Sequence, residues 1–317
     1  MIVERVGERS EVTRVLSQSP LRVLTPRNHG DAAWLFLSSL GGGFVGGDAL
    51  SLDVRVGDGA CCWLSSQASS KAYRAPAWSL EIRAEFRLNS IRMYELFIAN
   101  KNYSSWSLRP WVLMKARDIP FTEKFYRFAA GTDFRSFSPS GRVPCLVNDG
   151  ERVWDSLAIC EYLAERHPGL WPTDARARAW ARSASAEMHS GFGALRETCS
   201  MSCGLRVKLT HRSDGFEREL SRLNELWSEG MTRFGGPFLA GNTFTIVDAF
   251  FAPVAFRVQT YGLEMRGHAA TVAPTLLALP AMKQWYADAL AEDFRDASHE
   301  DFSKVGTITG DLRAPAR

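Results

Sequence analysis

Three serines crowd the start of one apolar run. Ser104, Ser105 and Ser107 flank Trp106 in the stretch Ser104-Ser105-Trp106-Ser107-Leu108-Arg109, directly after the short apolar segment Tyr94 to Ala99. Leu108, Val112, Leu113 and Ala116 then recur at helical spacing, so the serines stand where a helix begins. A hydroxyl there has two uses. It caps the unpaired N–H groups of the first turn, or it donates a hydrogen bond to an anion drawn by the positive end of the helix dipole. Asp155-Ser156 repeats the arrangement ahead of the helical run Ser156 to Arg166. An acid followed by serine is an ordinary N-cap and also a cradle for a carboxylate. Between the two lies Val143-Pro144, which by itself reads as a trans turn.

Other candidate chemistries fall away. Gly41 and Gly46 have the separation of a phosphate loop, but no lysine or hydroxyl follows, and Gly47-Asp48 leads into an alternating strand where a helix would be needed. Tight β-turns explain the glycines. A metal site needs converging ligands, and the six histidines (29, 167, 189, 211, 268 and 299) are scattered singly. Cys199 and Cys203 share a helical face without a third ligand, which favours packing over metal. Cys61, Cys62, Cys145 and Cys160 complete a set of six with no framework spacing, so free thiols in a reducing compartment are expected. Cys145 reads as a core residue.

The elements that must position these residues divide the chain in two. From Ser10 to Leu88 the pattern has period two: Leu50, Leu52, Val54 and Val56 alternate with polar residues, as do Ile82, Ala84, Phe86 and Leu88. A boundary is expected near Asn89 to Arg92, and Met93 followed at once by a strand reads as the start of an independent protein, through gene fusion or an upstream start codon. After it come a strand at Tyr94 to Ala99, the helix Leu108 to Ala116, a strand at Thr122 to Phe128, a hairpin of Cys145 to Val147 with Val153-Trp154 about Asn148-Asp149-Gly150, and the helix Ser156 to Arg166. Beyond Trp171-Pro172 only helices are expected, at Asp174 to Thr198, Phe216 to Phe234, Thr245 to Leu263 and Leu276 to Leu290. Thr245-Ile246-Val247-Asp248 is a capping box with Asp in place of Glu, and Pro253 should kink the helix that follows. Gly306 to Arg317 lacks periodicity and reads as a loose tail.

Hydrophobic residues make up 45% of the 317, enough for real cores. Net charge is +3; residues 1–92 carry 11 Lys and Arg against 9 Asp and Glu, and the rest 27 against 26. Neither part has the basic excess of a nucleic-acid binder. No apolar run is long enough for a membrane span or a secretory core, so a cytoplasmic protein is expected.

Two resemblances refine this reading. Ser17-Gln18-Ser19-Pro20-Leu21-Arg22, Leu40-Gly41-Gly42-Gly43 with Val45-Gly46-Gly47-Asp48, and Gln67-Ala68-Ser69 with Lys71-Ala72-Tyr73-Arg74 together resemble the N-terminal part of urease accessory proteins of the D type, over residues 10–88. That family is β-rich and acts as a scaffold in nickel insertion. The stretch Ser104 to Arg109, the loop Gly141-Arg142-Val143-Pro144-Cys145-Leu146 and Trp154-Asp155-Ser156 resemble the serine motif, the cis-proline loop and the acid–serine pair of zeta-type glutathione transferases.

The second resemblance implies a fold: a thioredoxin-like α/β domain at 93–172 and an all-α helical bundle at 173–305, behind a partial β-rich segment at 1–92 and ahead of the tail at 306–317. It implies glutathione as co-substrate, a small electrophile as second substrate, and no metal. Free thiols titrate near ~8.5, so the enzyme must favour the thiolate. That role falls on Ser104, five residues before Arg109, with Ser105 and Ser107 as alternatives. Arg142, Val143 and Pro144 would hold the tripeptide backbone, with Val143 pairing to it like an added strand, and Asp155 and Ser156 would take its γ-glutamyl carboxylate. Trp106, Arg109, Met188, Phe192 and Arg196 are the candidates for the electrophile site, although core packing explains Met188 and Phe192 equally well. Zeta relatives include maleylacetoacetate isomerases, whose two carboxylates suit Arg109 or Arg196; Trp106 and Pro110, the latter expected in the first helical turn, depart from the usual zeta motif. A homodimer and a vestigial contact with urease accessory proteins are the partners implied. The alternatives are a urease-maturation role through the front segment, and a glutathione-binding protein without turnover.

Overall fold

A computed structural model describes residues 1–16, 21–26, 31–39, 49–56, 60, 62–66, 81–88, 94–129, 131–302 and 304–315. The chain forms two units, Met1–Arg92 and Met93–Arg317.

The first unit is all β. Strands β1 (Ile2–Val6), β2 (Arg9–Arg14), β3 (Leu21–Leu24), β4 (Ala33–Ser39), β5 (Ala49–Val56), β6 (Cys62–Ser66) and β7 (Glu81–Leu88) make one sheet in the order β2-β1-β5-β7 and another in the order β3-β4-β6. The two alternating runs are β5 and β7, paired in parallel from Ala49 opposite Glu81 to Val56 opposite Leu88. Val3, Ala33, Leu35 and Val54 are its fully buried apolar side chains among the described residues. The glycine cluster at 41–47, His29, Cys61, the boundary stretch Asn89 to Arg92 with Met93, and most of the motif residues quoted for this part lie outside the described residues.

The second unit opens with β8 (Tyr94–Ala99), α1 (Ser105–Ala116), β9 (Phe121–Tyr126), β10 (Cys145–Asn148), β11 (Glu151–Val153) and α2 (Ser156–Ala164). The sheet order is β11-β10-β8-β9, with β9 parallel and β10 antiparallel to β8. This is the thioredoxin-like arrangement. Asp149 and Gly150, at φ +55° and +82°, form the two-residue turn that joins β10 to β11, a conformation Asp tolerates and Gly adopts freely. Pro110 lies in the second turn of α1, not the first as expected, because the helix already begins at Ser105.

The helical half comprises α3 (Ala175–Ser190), α4 (Gly193–Thr198), α5 (Asp214–Phe234), α6 (Ile246–Tyr261), α7 (Val272–Ala278) and α8 (Pro280–Ala291). Buried on nearly all sides, α6 is its axis, and it runs on through Pro253. The buried Asp248 carboxylate holds its start, accepting the backbone N–H groups of Leu239 (2.9 Å) and Thr245 (2.9 Å) and the Thr245 hydroxyl (3.2 Å). Burial raises this carboxyl to about 6 against the pull of those donors.

Three expectations need correction. The run Asp174 to Thr198 is two helices, because Phe192 takes a left-handed conformation (φ +59°) between α3 and α4. Leu276 to Leu290 is likewise divided, at Leu279, with Pro280 opening α8. The helical half is also not purely helical: β12 (Leu205–Leu209) pairs antiparallel with β13 (Gly306–Asp311), so the segment read as a loose tail is a strand. Leu205 and Val207 drive the pairing by turning into the core, and a Cβ at Gly306 would strike the Lys208 carbonyl.

Asp248→Ala strips two buried backbone donors of their acceptor. A loss of about 3 kcal/mol in unfolding free energy is expected in urea denaturation, and a change under about 0.5 kcal/mol would contradict the capping role.

Candidate functional site

The site grows from the turn between β8 and α1. Ser104 takes the N-cap place but makes no side-chain capping bond; its hydroxyl donates to the Ser107 hydroxyl at 2.7 Å. Ser107 is fully buried, and its oxygen also accepts the Ala99 N–H at 3.3 Å, tying the helix to the end of β8. Ser107 is therefore an anchor beneath the surface. Ser104 and Ser105 reach the wall of a cavity of about 350 Å³, and the Ser105 hydroxyl has no protein partner among the described residues.

Trp106, Arg142 and Val143 line the same cavity. The Val143–Pro144 bond is cis. The Arg109 and Arg196 guanidiniums stack on the Trp106 ring at 4.2 and 4.6 Å from its centroid. Asp155 caps α2 through Leu157 N–H (3.0 Å) and pairs with His189 Nε2 at 3.2 Å, while the buried Ser156 hydroxyl receives Arg109 Nη1 at 3.4 Å. His189 Nδ1 lies 3.5 Å from Arg109 Nη1, so the acid–serine pair and the serine motif are joined through one arginine and one histidine. Burial, outweighing Asp155, holds His189 below its ordinary pKa and keeps it neutral near pH 7.

Sequence reasoning placed five residues at the electrophile site. Trp106 and Arg196 do line the cavity. Arg109 lies buried beneath Trp106, and Met188 and Phe192 pack in the core, because the break at Gly191-Phe192 ends the four-residue spacing that would have aligned them with Arg196. Several wall residues escaped the reading, Arg257 and His299 among them. Arg257 comes from the middle of α6, where a cation in an apolar helix was the available signal, and His299 comes from the segment before β13.

Positive charge collects here. Arg257 is nearly buried, and its one hydrogen bond among the described residues runs from Nε to the Cys199 carbonyl, 2.7 Å. Arg196 donates to the carbonyls of Met188 and His189. Neither these two nor Arg109 forms an ion pair with a carboxylate among the described residues. Burial lowers all three pKa values, with added repulsion from Arg196 on both Arg109 and Arg257, and Arg257 falls to about 10. The Arg109 Nε has no acceptor among the described residues. Such a cluster is complemented by an anion.

Comparison with known proteins assigns the parts. Residues 1–91 match the family described as UreD urease accessory protein, 103–166 the glutathione S-transferase N-terminal domain, and 178–288 the glutathione S-transferase C-terminal domain. This chain joins a urease accessory UreD segment to both domains of a glutathione S-transferase. The front segment is 53% identical over 76 residues to "Urease accessory protein UreD" of Sorangium cellulosum (strain So ce56), covering 24% of each protein. The chain thus spans about a quarter of the length of the urease accessory relatives it matches. The transferase unit is 27% identical over 189 residues to "Probable maleylacetoacetate isomerase" of Caenorhabditis elegans, covering 56% of this chain and 85% of that one. A glutathione transferase homolog from Burkholderia, solved with bound glutathione, shares the fold at 20% identity and a TM-score of 0.50, covering 62% of this chain and 97% of that one.

The two buried hydroxyls separate by mutation. Ser107→Ala leaves the Ala99 N–H without an acceptor and is expected to cost about 1–2 kcal/mol in urea unfolding, whereas Ser104→Ala orphans no backbone group and should stay within about 1 kcal/mol. The reverse ranking would refute the anchor role of Ser107.

Proposed function

We propose that the transferase unit binds glutathione as its thiolate and directs it at a small electrophile that carries a carboxylate. The observation that carries this reading is the juxtaposition, around one cavity, of the Ser104 and Ser105 hydroxyls at the mouth of α1 with the unneutralised guanidiniums of Arg196 and Arg257. A hydroxyl proton and the N-terminal dipole both favour the sulfur anion over the thiol. Backbone pairing at Val143 next to Pro144, with Arg142 beside it, suits the tripeptide, and Asp155 with Ser156 at the start of α2 suits its γ-glutamyl end. The electrophile then lies over Trp106 with its carboxylate toward Arg257. Addition to an activated double bond and cis–trans isomerisation through a reversible adduct use the same thiolate. A homodimer in the cytoplasm is part of this reading.

Calorimetry with glutathione tests the first half: no heat of binding to the full chain would end it. The second half is tested by kcat/KM for a carboxylate-bearing activated alkene against a neutral one. Arg257→Leu is expected to lower the first about 30-fold and leave the second within about 3-fold, since a charged hydrogen bond contributes roughly 2 kcal/mol. Equal losses for both substrates would remove the carboxylate from the proposal.

A second reading concerns the UreD segment. Trp63 is 60% exposed and stacks on Trp34 at 6.1 Å between ring centroids, an aromatic surface suited to a protein partner. Retention of urease accessory subunits by the full chain, lost in Trp63→Ser, would support it, and no retention would exclude it.

A further inference from the structure

The cavity of the transferase unit has a third side, built by residues beyond the match to the transferase C-terminal domain, which ends at 288. After α8 the chain turns back over the mouth of α1. The segment from α8 to Phe302 is pinned at its start by Glu292, which accepts the Asn102 N–H, and at its end by Phe302, buried against Tyr261, and β13 beyond it closes on β12. Arg313, just after β13, binds Glu300 and reaches the Tyr103 hydroxyl at 3.1 Å; Tyr103 in turn donates to Glu300. This frame sets one side chain, His299, into the cavity wall.

His299 is held in the manner of an acid–base residue. Its ring is sandwiched between Tyr103 and Phe128, 5.2 Å from each centroid and within 27° of parallel to both. Nδ1 lies 3.0 Å from Asp296 Oδ2, and the Ser200 hydroxyl donates to its carbonyl at 3.2 Å. Asp296 is itself fixed: Oδ1 accepts the Ser298 N–H (2.9 Å) and hydroxyl (2.6 Å). Burial pulls its pKa up, but the bonds from Ser298 and His299 outweigh that and keep it an anion below its ordinary value. A carboxylate at Nδ1 selects the tautomer with its proton there and leaves the Nε2 lone pair available. Nε2 has no protein partner among the described residues.

Resting on the glutathione reading above, we propose that His299, oriented by Asp296, is the general base and acid of this cavity. The thiol S–H bond breaks as its proton passes to His299 Nε2. The sulfur electron pair bonds to the β-carbon of an activated alkene, and the π pair moves toward the activating carbonyl. The imidazolium then returns the proton to the resulting enolate. Proton and electrons balance without oxidant or metal. The charged and titratable groups around the ring are Asp296 and Glu300 on its own segment, Tyr103 before α1 and Arg313 after β13, with Arg142, Arg196 and Arg257 lining the same cavity. Tyr103 does not compete for the role, since burial and Glu300 raise its pKa far above neutrality and its hydroxyl is already engaged.

The test uses the full chain with His299→Phe, which keeps the aromatic sandwich, and Asp296→Asn. Glutathione binding is measured by calorimetry, the bound thiolate by its ultraviolet absorbance against pH, and kcat/KM with glutathione and benzylideneacetone across the same range. Binding is expected to stay within about 3-fold in both variants. In His299→Phe, kcat/KM should fall about 100-fold near neutrality, and the thiolate titration should move toward the ordinary ~8.5. Raising the pH past that value should restore most of the rate. Asp296→Asn should move the same way by less, and serves if His299→Phe does not fold. Variants whose thiolate titration and pH profile parallel wild type would reduce His299 to a packing residue. A wild-type chain that binds no glutathione would instead remove the reading beneath.

Discussion

The turn at Asn100–Ser104 is the constraint on which the transferase unit depends, and a carboxylate from nearly 200 residues away holds it. Glu292, at the end of α8, accepts the backbone N–H groups of Lys101 (2.5 Å) and Asn102 (3.3 Å). Asn102 answers through its side chain, donating to Glu292 and the Ala289 carbonyl while accepting Gly204 N–H. The Lys101 carbonyl receives Trp285 Nε1 at 2.9 Å, and its ammonium lies over the Trp111 and Trp285 rings while pairing with Glu123 and Asp288. Burial raises the Glu292 carboxyl pKa against the opposing pull of these donors. The α/β half and the helical half are thereby fastened at the residues that precede Ser104. A buried polar network of this kind locks geometry more than it adds stability.

Fastening matters because the cavity lies along the same seam. One wall belongs to the thioredoxin-like half, with Ser104, Ser105, Trp106, Arg142 and Val143; the other belongs to the helical half, with Arg196, Arg257 and His299. A hydroxyl at a helix N-terminus is a weak anion site by itself. Three guanidiniums with little countercharge, two of them stacked on Trp106, make the surroundings strongly attractive to anions. Their cost in desolvation and mutual repulsion is offset elsewhere, by the apolar packing of α6, which carries Arg257 in its middle.

The two units differ in how they are stabilised. In the UreD segment four small or medium side chains are the fully buried core among the described residues, which for a quarter of a longer family's length is what a partial sheet can enclose. The transferase unit instead has one continuous core from Tyr94 to Phe302, with Trp111, Trp227 and Trp285 fully buried.

Local pattern carried much of this into the sequence. Apolar runs of fixed period marked β5, β7, β8, α1 and α5, and the Thr245–Asp248 box marked the start of α6, because each is decided by neighbours within a few residues. The serine motif and the acid–serine pair were legible for the same reason. Leu205, Val207 and Leu209 alternate as in a strand, but the partner β13 is mostly exposed and lies about a hundred residues on. Distance in the chain hid the pairing, and with it the loop that brings in His299. The break at Phe192 was equally hidden, since packing imposes a left-handed turn that phenylalanine does not itself prefer. Sequence alone determined which residues could favour an anion, through side-chain type at helix starts. Tertiary structure alone decided which of them share a wall, that Ser107 supports while Ser104 and Ser105 face the cavity, and that Arg257 and His299 join them, because those contacts are made by segments with no local rule in common.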